Sequence, residues 1–170
     1  KRQIPDIAAE LLLVQAKREL HQGYKYDFDT NSYQKFCKLF PYVETEDQLN
    51  CINDVIDDMC STKAMDRVVC GDVGFGKTEV ILRASFIAAM NKKQVVIIVP
   101  TTVLAKQHHQ TFKNRFNTYN FKINLMTRVL SSSEKNTSLD EIKNGDAQII
   151  VGTHALLNKS IKYQNLGLLI

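Results

Sequence analysis

Apolar residues follow two rhythms along this chain. In the first third they recur at helical spacing. Ile4, Ile7, Leu11 and Val14 predict a helix over residues 5–21, with Gly23 as its stop. The run from Leu11 to Val14 widens the apolar face, so this helix is expected to pack against something. A polar-aromatic link, 24–28, leads to a short helix over 32–40 that Pro41 halts. Thr45 and Gln48 have the spacing of a capping box, and Leu49, Ile52, Val55, Ile56 and Met59 supply the stripe of a helix over 46–60. After Asp66 the texture changes. Short apolar runs at 67–70, 95–99, 121–126, 148–151 and 166–170 read as strands. Helical patterns at 78–90, 103–116 and 138–143 separate them. The run at 95–99 does not alternate, as expected of a strand buried on both faces. This alternation predicts an open parallel α/β sheet flanked by helices, preceded by a helical extension.

Charge adds a second layer. The 170 residues carry 22 basic and 18 acidic side chains, a mild net charge of +4. Their placement is uneven. From Val80 to Ser133 there is no Asp or Glu, while Arg83, Lys92, Lys93, Lys106, Lys113, Arg115, Lys122 and Arg128 fall there beside His108 and His109. The preceding stretch, 31–64, leans acidic. Such asymmetry is expected where one face meets a polyanion. No apolar run reaches the ~18 residues of a membrane helix, so no membrane contact is expected. Cys37, Cys51, Cys60 and Cys70 form no C-x-x-C pair, which argues against zinc and for free, mostly buried thiols in a reducing cytoplasm.

The densest chemistry is Cys70-Gly-Asp-Val-Gly-Phe-Gly-Lys-Thr-Glu79. Gly71 to Thr78 matches the full phosphate-loop pattern. A strand should deliver the chain to a tight turn. Glycines let backbone N–H groups converge on a phosphate, and a helix beginning there adds its free N–H groups and dipole. Gly71, Asp72, Val73, Gly74, Phe75, Gly76, Lys77, Thr78 and Glu79 are therefore the expected nucleotide contacts. Lys77 would bridge the terminal phosphates of ATP, and the Thr78 hydroxyl would hold Mg2+ through the nucleotide. Kinases, GTPases and motors share this loop, so it does not say what the nucleotide drives.

The run from Met65 to Val80 resembles the bacterial transcription-repair coupling factors, a family of superfamily 2 DNA translocases. So do Val99-Pro-Thr-Thr-Val-Leu-Ala-Lys-Gln-His108, Gly152-Thr-His-Ala-Leu-Leu157 and Leu166-Gly-Leu-Leu-Ile170. The likeness reaches back through 33–48 and 8–12 and covers in effect the whole chain. RecG-type fork helicases are the nearest alternative, but they typically have Ser where Phe75 stands. The resemblance implies a RecA-like nucleotide-binding lobe over 45–170 after a helical linker over 1–44. It implies that Gln48 reads adenine, with Phe40 packed near the base. Thr101, Thr102 and Lys106 would contact DNA, with Thr153 and His154 at a second strand end and Arg128 between them. The family often carries a second basic residue where this chain has Leu130.

In whole family members such a lobe drives translocation on double-stranded DNA, displaces stalled RNA polymerase and recruits excision-repair proteins. The polymerase and repair contacts are expected outside this chain. The chain does not begin with Met, and the family's Asp-Glu-Glu-His segment would follow Ile170. It is thus expected to be the front part of a motor lobe in a bacterial cytoplasm. By itself it would bind nucleotide weakly at most and not turn it over. A stand-alone P-loop phosphotransferase is the competing class. It would need a magnesium carboxylate directly after a buried strand, which Glu134, Asp140, Glu141 and Asp146 do not provide.

Overall fold

The helix expected over 46–60 forms, and its cause is visible at its first turn. The computed structural model describes residues 4–170. In it Thr45 caps helix α3 (Glu46–Cys60) by accepting from Gln48 N, and the Gln48 side chain accepts from Thr45 N in return. Helix α1 (Ile4–Leu20) and helix α2 (Thr30–Cys37) precede it. Asp29, not predicted as a cap, accepts from Asn31 N and Ser32 N and starts α2. A hydrogen bond from the Ser32 side chain, helped by these backbone contacts, holds the Asp29 carboxyl below the usual carboxylate range.

Then come α4 (Lys77–Met90), β1 (Gln94–Ile98), α5 (Thr102–Arg115), β2 (Ile123–Met126), α6 (Ser132–Asn144), β3 (Ile149–Gly152), a 3-10 turn (His154–Leu157) and β4 (Leu166–Leu169). The sheet order is β2-β3-β1-β4, with every pairing parallel. Connections through α5 and α6 carry the chain back between parallel strands, as a βαβ pattern requires. Ile98 and Met126 both pair with Gly152, so the carboxyl ends of β1, β2 and β3 are level. Helix α6 starts six residues earlier than the apolar pattern indicated, because Ser131 and Glu134 form a second capping box.

One core lies between the sheet and α4, which is buried along most of its length. Phe36 of α2 is fully buried and stacks on Phe86 of α4 with centroids 4.5 Å apart and on Phe116 at 5.0 Å. Tyr26 and Phe36, from the stretch read as an extension, thus share the core of the α/β layer. A second cluster, built on Val96, Met126, Ile142 and Ile150, fills the other face under α6.

Three expectations are corrected. Residues 67–70 do not form a strand. A strand needs a neighbour for its backbone groups, and β4 pairs with β1 alone among the described strands. The segment is instead held to α3, where Arg67 donates to Asp58 at 2.6 Å and Asp54 at 2.9 Å. The broad face of α1 is also bare: Leu11, Leu12 and Leu13 are 65, 70 and 61 % exposed. The thiols depart from expectation as well, since Cys70 is exposed and the other three are half-buried.

Phe36→Ala is expected to destabilise the chain by about 3–5 kcal/mol, as for other buried aromatic deletions. Urea unfolding measures it, and a loss below ~1 kcal/mol would mean that α2 is not part of the core.

Candidate nucleotide and nucleic-acid site

The phosphate loop has the backbone its sequence demands. Gly74 and Gly76 both adopt positive φ, at 88° and 69°. Gly76 is the N-cap of α4 and has no side chain to cap it. Glu79 N donates to Gly76 O at 2.8 Å, but the N–H groups that open the helix have no side-chain cap, and such a helix start suits an anion. Lys77 folds back over the loop and donates to the carbonyls of Gly71 and Asp72, the latter at 2.7 Å. Gln48 holds the loop from the other side, with Nε2 donating to Phe75 O at 2.7 Å. A Cβ at position 76 would come within 2.6 Å of that Nε2, so the contact requires glycine. Gly71, Asp72, Val73 and Phe75 are exposed, while Lys77 and Thr78 are half-buried.

Glu79 departs from the rest of the loop. Its side chain is only 4 % exposed and faces the interior. One oxygen, Oε1, accepts from Arg83 Nε at 2.8 Å and from Arg115 Nη2 at 2.8 Å. Arg83 also pairs with Glu44. This places Glu79 in a buried ion-pair network, at a position where a nucleotide contact was expected. The sequence pointed to Arg83 and Arg115 only as cations of the acid-free span, and did not single out Glu44 as a site residue. Glu79 and Arg83 had the i,i+4 signal, but nothing local announces a partner 36 residues away. The two guanidiniums bracket Phe40, at 6.0 Å and 5.8 Å from its ring centroid. Phe40 and Pro41 join Gly76, Thr78 and Arg115 around an open pocket of about 440 Å3 beside the loop. A larger cleft of about 810 Å3 lies at the end of α1, away from the loop. Four of its charges form two ion pairs, Arg18 with Asp66 and Arg67 with Asp58.

A cofactor fits what is present. The uncapped helix start, the positive-φ glycines and Lys77 make a cradle for phosphate oxygens. Among the described residues no cluster of acidic, His or Cys side chains could hold a metal unaided. A cation would therefore be held through the nucleotide and Thr78.

The second group of candidates meets at the level strand ends. Thr101 and Thr102 follow β1, Arg128 follows β2, and Thr153 and His154 follow β3. Arg128 Nη2 lies 2.7 Å from His154 Nε2, so the structure joins residues 26 apart in sequence. Gly152 permits this turn: a Cβ there would come within 2.3 Å of Met126 O. Thr101 caps α5 by accepting from Leu104 N at 3.2 Å. Thr153 is buried at 4 % exposure, at the start of the turn that follows β3.

The acid-free span also divides. Arg83 and Arg115 are buried against Glu79. Lys122 pairs with Glu141 at 2.7 Å. Lys93 lies 4.1 Å from the Tyr24 ring centroid and donates to Asn165. Lys106, exposed one turn into α5, and Arg128 are the span's cations nearest the row of strand ends.

A phosphate-loop lobe on a parallel α/β sheet is what this fold and loop define. Residues 45–170 match the DEAD/DEAH box helicase family, and the chain belongs to it. The chain is 48 % identical over 167 residues to the transcription-repair-coupling factor of Haemophilus influenzae, covering 98 % of this chain and 15 % of that protein. It is 47 % identical to the Escherichia coli protein of that name, covering 98 % and 14 %, and 46 % identical to that of Bacillus subtilis, covering 98 % and 14 %. The chain thus spans about one-seventh of the length of these relatives. Among solved structures it is similar to RecG bound to a three-way DNA junction, with TM-score 0.85, 31 % identity, and 92 % of this chain and 21 % of that one covered. A hypothetical ATP-dependent RNA helicase from Sulfolobus tokodaii shares the fold alone, with TM-score 0.56, 15 % identity, and 76 % and 35 % covered.

Glu79→Ala is expected to cost about 3–5 kcal/mol, because it leaves Arg115 buried without its carboxylate. Denaturant titration tests this. The Arg83 guanidinium beside Glu44 holds the Glu44 carboxyl below its usual range. A lowered folded-state pKa means that this stabilisation is complete above the ordinary carboxylate range. It is lost as pH falls through that range toward the lowered value. Glu44→Gln should therefore flatten the acid limb of the stability–pH curve. An unchanged limb would remove Glu44 from the network.

Proposed function

We propose that this chain is the ATP-binding part of a motor lobe that translocates on double-stranded DNA, working in transcription-repair coupling. The observation that carries this reading is that one lobe holds both a phosphate loop and a level row of polar strand ends. Identity near one half to three transcription-repair-coupling factors favours them over RecG as the model for its role. In the whole protein, displacement of stalled RNA polymerase and contact with excision-repair proteins would fall to parts outside this chain.

Bound MgATP would supply the phosphoanhydride whose hydrolysis powers the cycle. The residues here bind and orient it. Lys77 would exchange the carbonyls of Gly71 and Asp72 for phosphate oxygens, a stronger charge-assisted pairing. The Thr78 hydroxyl would turn to the cation. Gln48 presents both a donor and an acceptor, the pair an adenine edge requires. In the present arrangement Phe75 O and Thr45 N engage them. The second amide hydrogen and the second oxygen lone pair stay available to a base edge, so Gln48 would link the base to the loop. Phe40 offers an aromatic face at the adjoining pocket. At the strand ends, Thr101, Thr102, Lys106, Arg128 and His154 would hold DNA phosphates. Such contacts are independent of sequence and sensitive to salt, as a moving track requires.

Titration with a fluorescent ATP analogue tests the nucleotide half. Lys77→Ala should weaken binding by about 10- to 100-fold. Gln48→Ala should erase any preference for ATP over GTP, and an unchanged preference would contradict the base-reading role. For the DNA half, duplex affinity should be measured across salt concentrations. The double substitution Lys106→Ala with Arg128→Ala should reduce the salt slope by about two. An unchanged slope would sink the track assignment.

A further inference from the structure

Beyond Arg128 the row of strand ends opens into a small cleft of about 100 Å3 between α6 and the turn after β3. Thr127, Arg128, Lys135, Asn158 and Ser160 line its polar part, beside an apolar part that includes Leu139 and Ile161. Three features set it apart from ordinary surface. Arg128 and Lys135 supply two cations, and neither has a carboxylate within ion-pair distance among the described residues. Thr127 is 4 % exposed, and its Oγ1 is buried with no hydrogen-bond partner among the described residues. A buried hydroxyl left without a partner carries a penalty of about 1–3 kcal/mol unless something satisfies it. Ser160 sits in a turn closed by Asn158, whose Oδ1 accepts from Ser160 N at 3.0 Å. Cations, hydroxyls and no competing acid are the chemistry of an oxyanion site.

We propose that this cleft is a phosphate-binding subsite that seats one backbone phosphate of duplex DNA, with Lys135 as its principal cation. The proposal rests on the DNA-track reading above and extends that track onto α6. Leu130 cannot serve this purpose: it is partly buried and packs against the second hydrophobic cluster. Lys135 stands on the first turn of α6, at the cleft, and is exposed. Arg128 links the two regions, since it lines the cleft and also contacts His154. A phosphate seated here continues the line of contacts that Thr101, Thr102 and His154 begin.

The test is duplex DNA binding by the full chain across salt concentrations. A fluorescein-labelled duplex is the probe, with Arg128→Ala, Lys135→Ala, Lys135→Arg and Thr127→Val compared. Lys135→Ala should weaken binding about 5-fold and lower the salt slope by about one. Lys135→Arg should restore the slope. Thr127→Val should weaken binding about 3-fold with the slope unchanged, as loss of a neutral donor requires. If Arg128→Ala lowers the slope and Lys135→Ala does not, the track stands and the subsite is overturned. If neither changes it, the track reading itself fails and the subsite with it. Inorganic phosphate is the second probe, followed by amide NMR shifts. Shifts at Thr127 and Lys135 with no effect of Lys135→Ala on DNA binding would make the cleft a free-anion site and also overturn the proposal.

Discussion

A single buried carboxylate holds the nucleotide side of this lobe together. Glu79 lies in the first turn of α4, immediately after the phosphate loop, and receives both Arg83 and Arg115 on one oxygen. Arg83 reaches on to Glu44, just ahead of the Thr45 cap. The network therefore fixes three pieces relative to one another: the start of α4, the end of α5 and the approach to α3. Phe40 rests beside both guanidiniums, and Gln48 follows from the Thr45 cap. The loop, the pocket beside it and the helix rising from the row of strand ends are thus mechanically joined. A buried charge tolerates little displacement, because any movement that breaks a pair leaves an uncompensated ion.

The other organising constraint is the register of the parallel sheet. Strands that run the same way and end level place the residues after them in a row, whatever their distance in sequence. Thr101, Arg128 and His154 come together for this reason. Register also sorts the basic residues. Those at or near strand ends stay available to a polyanion, while Arg83 and Arg115 are drawn inside by Glu79 and Lys122 by Glu141. Net charge over a span of sequence could not make that distinction, because a charge run is blind to which way each side chain points.

Much of the fold was legible in local pattern. The capping box at Thr45 and Gln48, the unbroken apolar run at 95–99 and the glycines before Lys77 each announced their conformation through neighbours a few residues away. Failures came where the deciding partner was remote or missing. Residues 67–70 have the composition of a strand, but backbone hydrogen bonds require an adjacent strand. The apolar face of α1 predicts burial, but nothing among the described residues covers it. The six missed residues at the start of α6 were a different kind of error, since the cap at Ser131 was in plain view and its polar first turns hid it.

By itself the sequence determined most of the alternation of strands and helices, and the phosphate loop. These depend on spacing and on backbone freedom at glycine, which are local properties. Only the tertiary structure decided that Glu79 turns inward, that Arg128 meets His154, and that Lys135 and the unpartnered Thr127 hydroxyl share a cleft. Each of those outcomes depends on side chains that the sheet's register and the packing of α5 and α6 bring together from distant positions, and no pattern of neighbouring residues encodes that distance.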